Sequence, residues 1–245
     1  MGYYARQTRM EDFGASTRSG DGALATEKDL PTGRRSRSVV EYAAAVATGE
    51  PTPGGGSVAA TTAAFAAALA EMVCRLTLAR PLEVEAETAL TDAQRAAAQL
   101  RHRFLALAIE DENAYGVYRT AAGLPKSTAD EREVRRRELE AALGQAAGVP
   151  LRVASGCVEL LGSLDAVAAL GTKHARADVR TSLRLARAAL GSAADMVKAN
   201  TELMRDRARA TQLEREIGAL TARGEQTYLT VARALDDNLP EKPTL

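Results

Sequence analysis

Tryptophan is absent from the 245 residues, and six tyrosines and three phenylalanines supply all of the aromatic surface. So low an aromatic content argues against a β-sandwich, whose pleated faces want aromatic and β-branched side chains. Excess charge of either sign is also missing: 32 Lys plus Arg stand against 32 Asp plus Glu. No net field therefore steers the chain to nucleic acid or to an anionic membrane, and neither is an expected partner. No apolar run reaches the roughly 18 residues that cross a bilayer, and the first thirty residues carry no signal-peptide core, which predicts a cytoplasmic protein. Cys74 and Cys157 are the two cysteines. They make neither a disulfide scaffold nor a metal cluster, and both fall in apolar helical patterns where a free thiol acts as a small hydrophobe. Alanine is what the chain has in plenty, 51 residues or about a fifth of the total, and that composition favours close-packed helices.

Residues 1–36 are rich in Gly, Ser, Thr, Asp and Arg without a sustained period, and read as a flexible polar leader ahead of one helical domain over 37–240. Arg34, Arg35 and Arg37 are a solvated run or a contact to an acidic partner. From Val39 the pattern turns helical, with Val39, Tyr42, Ala43 and Val46 on one face and Gly49 as a stop. After Pro51 and Pro53 come three glycines, Ser57, and about twenty-two small or apolar residues, a helix with so little polar face that it belongs at the centre of a bundle or at an oligomer interface. A pattern from about Glu83 to Ala122 follows. A charged helix then opens at Ser127-Thr128 and closes near Ala147, and a further one begins at Pro150 and ends near Gly171. Two more, over about 176–206 and 209–237, complete an all-α bundle of long antiparallel helices.

Three places carry chemistry. Pro53-Gly54-Gly55-Gly56-Ser57 stands directly before a helix, where glycines permit positive φ and close approach of a ligand, and exposed N–H groups favour an anion. The other reading is a tight turn with Ser57 as the N-cap. Next, Asp111 of Glu110-Asp111-Glu112 falls on the apolar stripe of Phe104, Leu107, Ala108, Tyr115 and Tyr118. With no Lys or Arg one turn away, such a carboxylate resists ionisation and suits general acid/base work; the alternative is a solvated edge position or a hydrogen bond to a neighbouring helix. Third, Lys173, His174 and Arg176 make a cationic knot beside Asp178, able to hold a carboxylate and pass a proton, or else simply punctuating two helices. His102 lies between Arg101 and Arg103 with no metal-ligand spacing near it, so no metal is expected.

At these residues the chain resembles the cyclodeaminase/cyclohydrolase family, which includes the C-terminal domain of formiminotransferase-cyclodeaminase and stand-alone bacterial methenyltetrahydrofolate cyclohydrolases. The likeness spans most of 38–206. It rests on Pro51 through Ala60, on Met72-Val73 with Leu76-Thr77, on Glu110-Asp111 with Ala114-Tyr115, and on Leu124-Pro125-Lys126. Val149-Pro150-Leu151, Arg176 with Asp178, and Asn200 with Asp206 follow in order. The resemblance implies an all-helical homodimer, a folate site at or near the subunit interface, and Asp111 as proton acceptor. It further implies Asp178 as a second catalytic residue, Gly54, Gly55, Gly56, Ser57 and Asn200 as substrate-binding, and Lys126, Lys173 and Arg176 as receivers of the glutamyl tail. A tetrahydrofolate derivative enters as substrate and no cofactor is implied. The family usually has Gly-Asn where this chain has Gly171-Thr172 and Ser-Asp where it has Ala177-Asp178. Those departures leave room for a non-folate amine or imine substrate on the same scaffold, and a non-catalytic helical interaction protein is the remaining alternative.

Overall fold

A computed structural model describes residues 37–237; the leader expected over 1–36 and the end of the domain at 240 lie outside the described residues. Among these residues every regular element is helical: α1 Val39–Val46, α2 Gly55–Leu78, α3 Val84–Ala122, α4 Ala129–Leu170, a 3-10 turn Lys173–Ala175, α5 Arg176–Leu203 and α6 Arg207–Asp237. Two starts are written in the sequence as capping boxes. Ser38 and Glu41 exchange side-chain and backbone bonds at α1, and Thr128 and Glu131 do so at α4, each satisfying orphan N–H groups of the first turn.

The expected break at Pro150 does not occur. The helices assigned to either side of it are one, α4, with Pro150 inside. A proline there withdraws an N–H from the helical ladder; α5 supplies the missing donor through Asn200, whose amide reaches the carbonyl of Ala146.

α2 lies at the centre. Ala60, Ala63, Ala66, Ala67 and Ala70 are buried along it, and their small side chains let α3, α4 and α5 close around it. α5 runs antiparallel to it: Met196 lies beside Gly55, the Ser182 hydroxyl donates to the Ala66 carbonyl at 2.7 Å, and the Thr172 N–H donates to Thr77 Oγ1 at 3.0 Å. Glu71 is the buried carboxylate of this apolar helix. Arg75 Nη2 reaches its Oε1 at 2.6 Å and Arg101 of α3 its Oε2 at 2.9 Å. Burial pushes the Glu71 carboxyl up, but the two guanidinium groups outweigh it and hold the carboxyl below its ordinary range.

By length and composition α2 and a stretch of α4 are apolar enough to cross a membrane, which corrects the expectation that no such segment exists. Scattered polar residues hid them from a search for unbroken apolar runs. In the bundle, 61% and 56% of those windows are buried, as core helices require.

α1 stands apart from this packing. None of its eight residues is buried, and Val39 and Val40 are largely exposed.

Candidate active site

The glycine turn and Asp111 meet. Gly54 is the N-cap of α2 and offers no capping side chain, so Ser57 is the third residue of the helix rather than its cap. The Asp111 carboxylate instead reaches across from α3 to this first turn, lying against Gly56, where the Ser57 N–H favours its ionised form. The anion that a helix N-terminus attracts is thus supplied by the chain itself. None of the described glycines takes positive φ; glycine at position 56 answers a demand for space. A Cβ on Gly56 would lie 2.6 Å from Asp111 Cγ and 2.7 Å from Oδ2, closer than real Cβ atoms approach anything.

Burial is the main influence on Asp111 and raises its pKa above the ordinary aspartate value; the Ser57 N–H opposes this and the neighbouring Glu112 charge adds to it. The two flanking carboxylates have cationic partners. Glu110 pairs with Arg152 of α4, and Glu112 pairs with Arg37, 3.4 Å away. Arg37 is therefore bound within its own chain. The geometry gives a half-buried carboxylate, held against α2 between two acids that each have a cationic partner, that resists ionisation more than an ordinary aspartate and is placed to accept a proton.

Two residues of this cluster escaped the sequence reading as functional groups. Tyr42 of α1 places its Oη 2.8 Å from Ser57 Oγ, and Thr61, one turn along α2, donates to the Ser57 carbonyl at 2.9 Å. Tyr42 was legible only as a member of the apolar face of α1. Nothing in a single-sequence pattern tells that its hydroxyl meets α2.

Other candidates fall elsewhere. Asn200 is near the turn, next to Met196, but its amide nitrogen donates to the carbonyls of Ala146 and Met196 at 3.3 and 2.8 Å; its first role is in the helix pair. Lys126 is exposed in the loop beyond α3. Lys173, Arg176 and Asp178 lie at the far end of α2, where Thr172 meets Thr77. From Gly55 to Thr77 the helix is about 33 Å long at roughly 1.5 Å per residue, so one chain does not bring these three to Asp111. The thiols of Cys74 and Cys157 are buried and unpaired, with burial pushing them up to about 11 and about 12, and neither is poised as a nucleophile.

The family described as formiminotransferase-cyclodeaminase matches residues 38–219. A methenyltetrahydrofolate cyclohydrolase of Methylorubrum extorquens is 34% identical over 190 residues, 76% of this chain and 91% of that protein. The formimidoyltransferase-cyclodeaminase of Sus scrofa is 31% identical over 172 residues, 69% of this chain but 31% of that longer protein. Among solved structures, a formiminotetrahydrofolate cyclodeaminase from Thermotoga maritima superposes with a TM-score of 0.74 at 28% identity, covering 82% of this chain and 97% of the other.

Proposed function

The chain belongs to the formiminotransferase-cyclodeaminase family, and from that premise we propose that it is a folate one-carbon enzyme working on the N5/N10 methenyl bridge of tetrahydrofolate, with Asp111 as proton acceptor. The observation that carries the reading is the Asp111 carboxylate, half-buried against the first turn of α2 and held above its ordinary pKa by that burial. In the hydrolytic direction water adds to the cationic bridging carbon. Asp111 takes the proton that this addition releases, the carbon–N5 bond then breaks, and N5 receives a proton as it leaves. The ionised carboxylate also offsets the positive amidinium. In the deaminating variant N10 attacks a formimino carbon and ammonia departs, with the same proton problem. The hydrolytic reaction takes precedence because, of two relatives covered over nearly their whole length, the one named cyclohydrolase is 34% identical and the one named cyclodeaminase 28%. Proton transfer suffices, so no cofactor enters the proposal.

The working unit is proposed to be a homodimer. α2 leaves Phe65, Met72 and Leu76 exposed, spaced by seven and four residues along one face. With a two-fold axis perpendicular to α2 at that face, the two α2 helices pair antiparallel, which brings Lys173, Arg176 and Asp178 of one subunit toward Asp111 of the other. Thr172 and Ala177, the residues that favoured a non-folate substrate, touch the site only across such an interface. A cytoplasmic location accords with the two unpaired thiols.

The test is the absorbance of 5,10-methenyltetrahydrofolate with wild type and Asp111→Asn. Decay above the uncatalysed rate in the first and its loss in the second is the expected result; no acceleration by a folded wild type defeats the proposal.

A further inference from the structure

α1 is a short helix with no buried residue, yet it lies beside the reactive centre. Its attachment is polar. Tyr42 Oη is 2.8 Å from Ser57 Oγ and 3.3 Å from Thr61 Oγ1, and Arg37, two residues ahead of the helix, pairs with Glu112 on α3. A threonine hydroxyl has one proton to give, and that of Thr61 goes to the Ser57 carbonyl at 2.9 Å. A phenol is a better donor than an alkyl hydroxyl, so the short bond is best formed with Tyr42 donating to Ser57 Oγ. Ser57 has no exposed surface, so its hydroxyl is a fixture of the turn rather than a group that meets a ligand.

We infer that Tyr42 is a positioning residue for Asp111: by gripping Ser57 Oγ while Thr61 holds the Ser57 carbonyl, it fixes the first turn of α2, against which the Asp111 carboxylate lies at Gly56. The inference rests on the reading of Asp111 as proton acceptor. Charged groups around that carboxylate are Glu110 and Glu112 of its own helix, Arg152 of α4 paired with the first, and Arg37 paired with the second. α2 contributes the Ser57 N–H, and α5 the uncharged Met196 beside Gly55. The Glu112 charge still raises Asp111 and the Ser57 N–H opposes it, so where the first turn of α2 holds that N–H is a tunable influence on when Asp111 ionises.

Tyr42→Phe keeps the ring and removes the hydroxyl. In the free protein, the carboxyl-carbon NMR signal of Asp111, assigned by its loss in Asp111→Asn, is expected to titrate at higher pH in Tyr42→Phe than in wild type, because the N–H that favours the ionised form is less well aimed. On 5,10-methenyltetrahydrofolate, kcat is expected to fall about three- to tenfold with KM changed less than about twofold. Ser57→Ala removes the other half of the bond and should reproduce both effects, the double variant being no worse than either single one. An unmoved titration in folded Tyr42→Phe overturns the inference, and so do additive losses in the double variant. Should Tyr42→Phe not fold, Ser57→Ala decides by the same titration. Since that titration needs no substrate, an inactive wild type would count against the folate reading while the role of Tyr42 would still stand or fall on the NMR shift.

Discussion

Asn200 of α5 completes a hydrogen bond that Pro150 of α4 cannot make. The carbonyl of Ala146, four residues before the proline, has no N–H to receive within its own helix, and Asn200 Nδ2 stands 3.3 Å from it. An unmet buried carbonyl is costly, so the pair lets a 42-residue helix pass through a proline. Asn200→Ala should lower stability by about 0.5–1.5 kcal/mol in urea unfolding. In a Pro150→Ala background, where residue 150 recovers its N–H, most of that loss should vanish. Equal losses in both backgrounds would show that Asn200 serves α4 in some other way.

Gly55 and Gly56 are adjacent but are not equivalent. At Gly55 an added Cβ meets the Met196 thioether at 3.2 Å, and a flexible methionine can give way. At Gly56 the obstacle is the Asp111 carboxylate, which cannot retreat and keep its place against the first turn of α2. Gly55→Ala is expected to retain activity within about threefold, whereas Gly56→Ala, by displacing the carboxylate on the order of 1 Å, should cost roughly 100-fold. Steady-state rates on the methenyl substrate check both, and equal effects at the two glycines would contradict the packing argument.

Asp111→Asn should separate activity from stability. Loss of the proton acceptor is expected to lower kcat by roughly 10²–10⁴. Because burial sets the folded pKa of Asp111 above its unfolded value, ionisation costs the folded protein free energy. That cost is absent below the ordinary aspartate pKa, grows as pH rises through the window up to the raised value, and is complete above it. The asparagine variant escapes it, so its stability relative to wild type should improve with pH across the window and stay improved at pH 7. Wild-type kcat/KM should fall as pH drops through the raised pKa. Denaturant midpoints at several pH values measure the first effect; a variant losing ground as pH rises would reverse the assignment.

The parts of this architecture legible in the sequence are those set by local patterns. Ser38 with Glu41 and Thr128 with Glu131 mark helix starts by short-range chemistry, and the 3-to-4 residue spacing around Asp111 placed it on a packing stripe. What escaped were relationships between distant segments. Pro150 reads as a helix start unless one knows that Asn200 lies across from it. Ser57 reads as a cap unless Gly54 is seen to hold that position and Asp111 to lie against the turn from α3. Glu71 gave no signal of its own, since its partner Arg101 is thirty residues away on another helix. Lys173, Arg176 and Asp178 were joined to the glycine turn only by what the family resemblance implies, and helix length is what separates them.

That separation yields the sharpest test of the proposed dimer. If Asp178 of one subunit serves Asp111 of the other, a hybrid of Asp111→Asn and Asp178→Asn subunits contains one site with both aspartates and one with neither. Random reassociation of the two inactive parents makes about half of the dimers hybrid, so roughly a quarter of wild-type activity should return on mixing. Sites built within single chains would leave every hybrid site with one defect and restore nothing. Phe65→Glu places a charge in the centre of the proposed α2 contact and should convert the protein to a monomer in light scattering, with activity lost in proportion. A wild type that scatters as a monomer at micromolar concentration would end the dimer proposal. Because Phe65 is 49% exposed in the single chain, the substitution has little core to disturb, and a lost dimer could not be blamed on a lost fold.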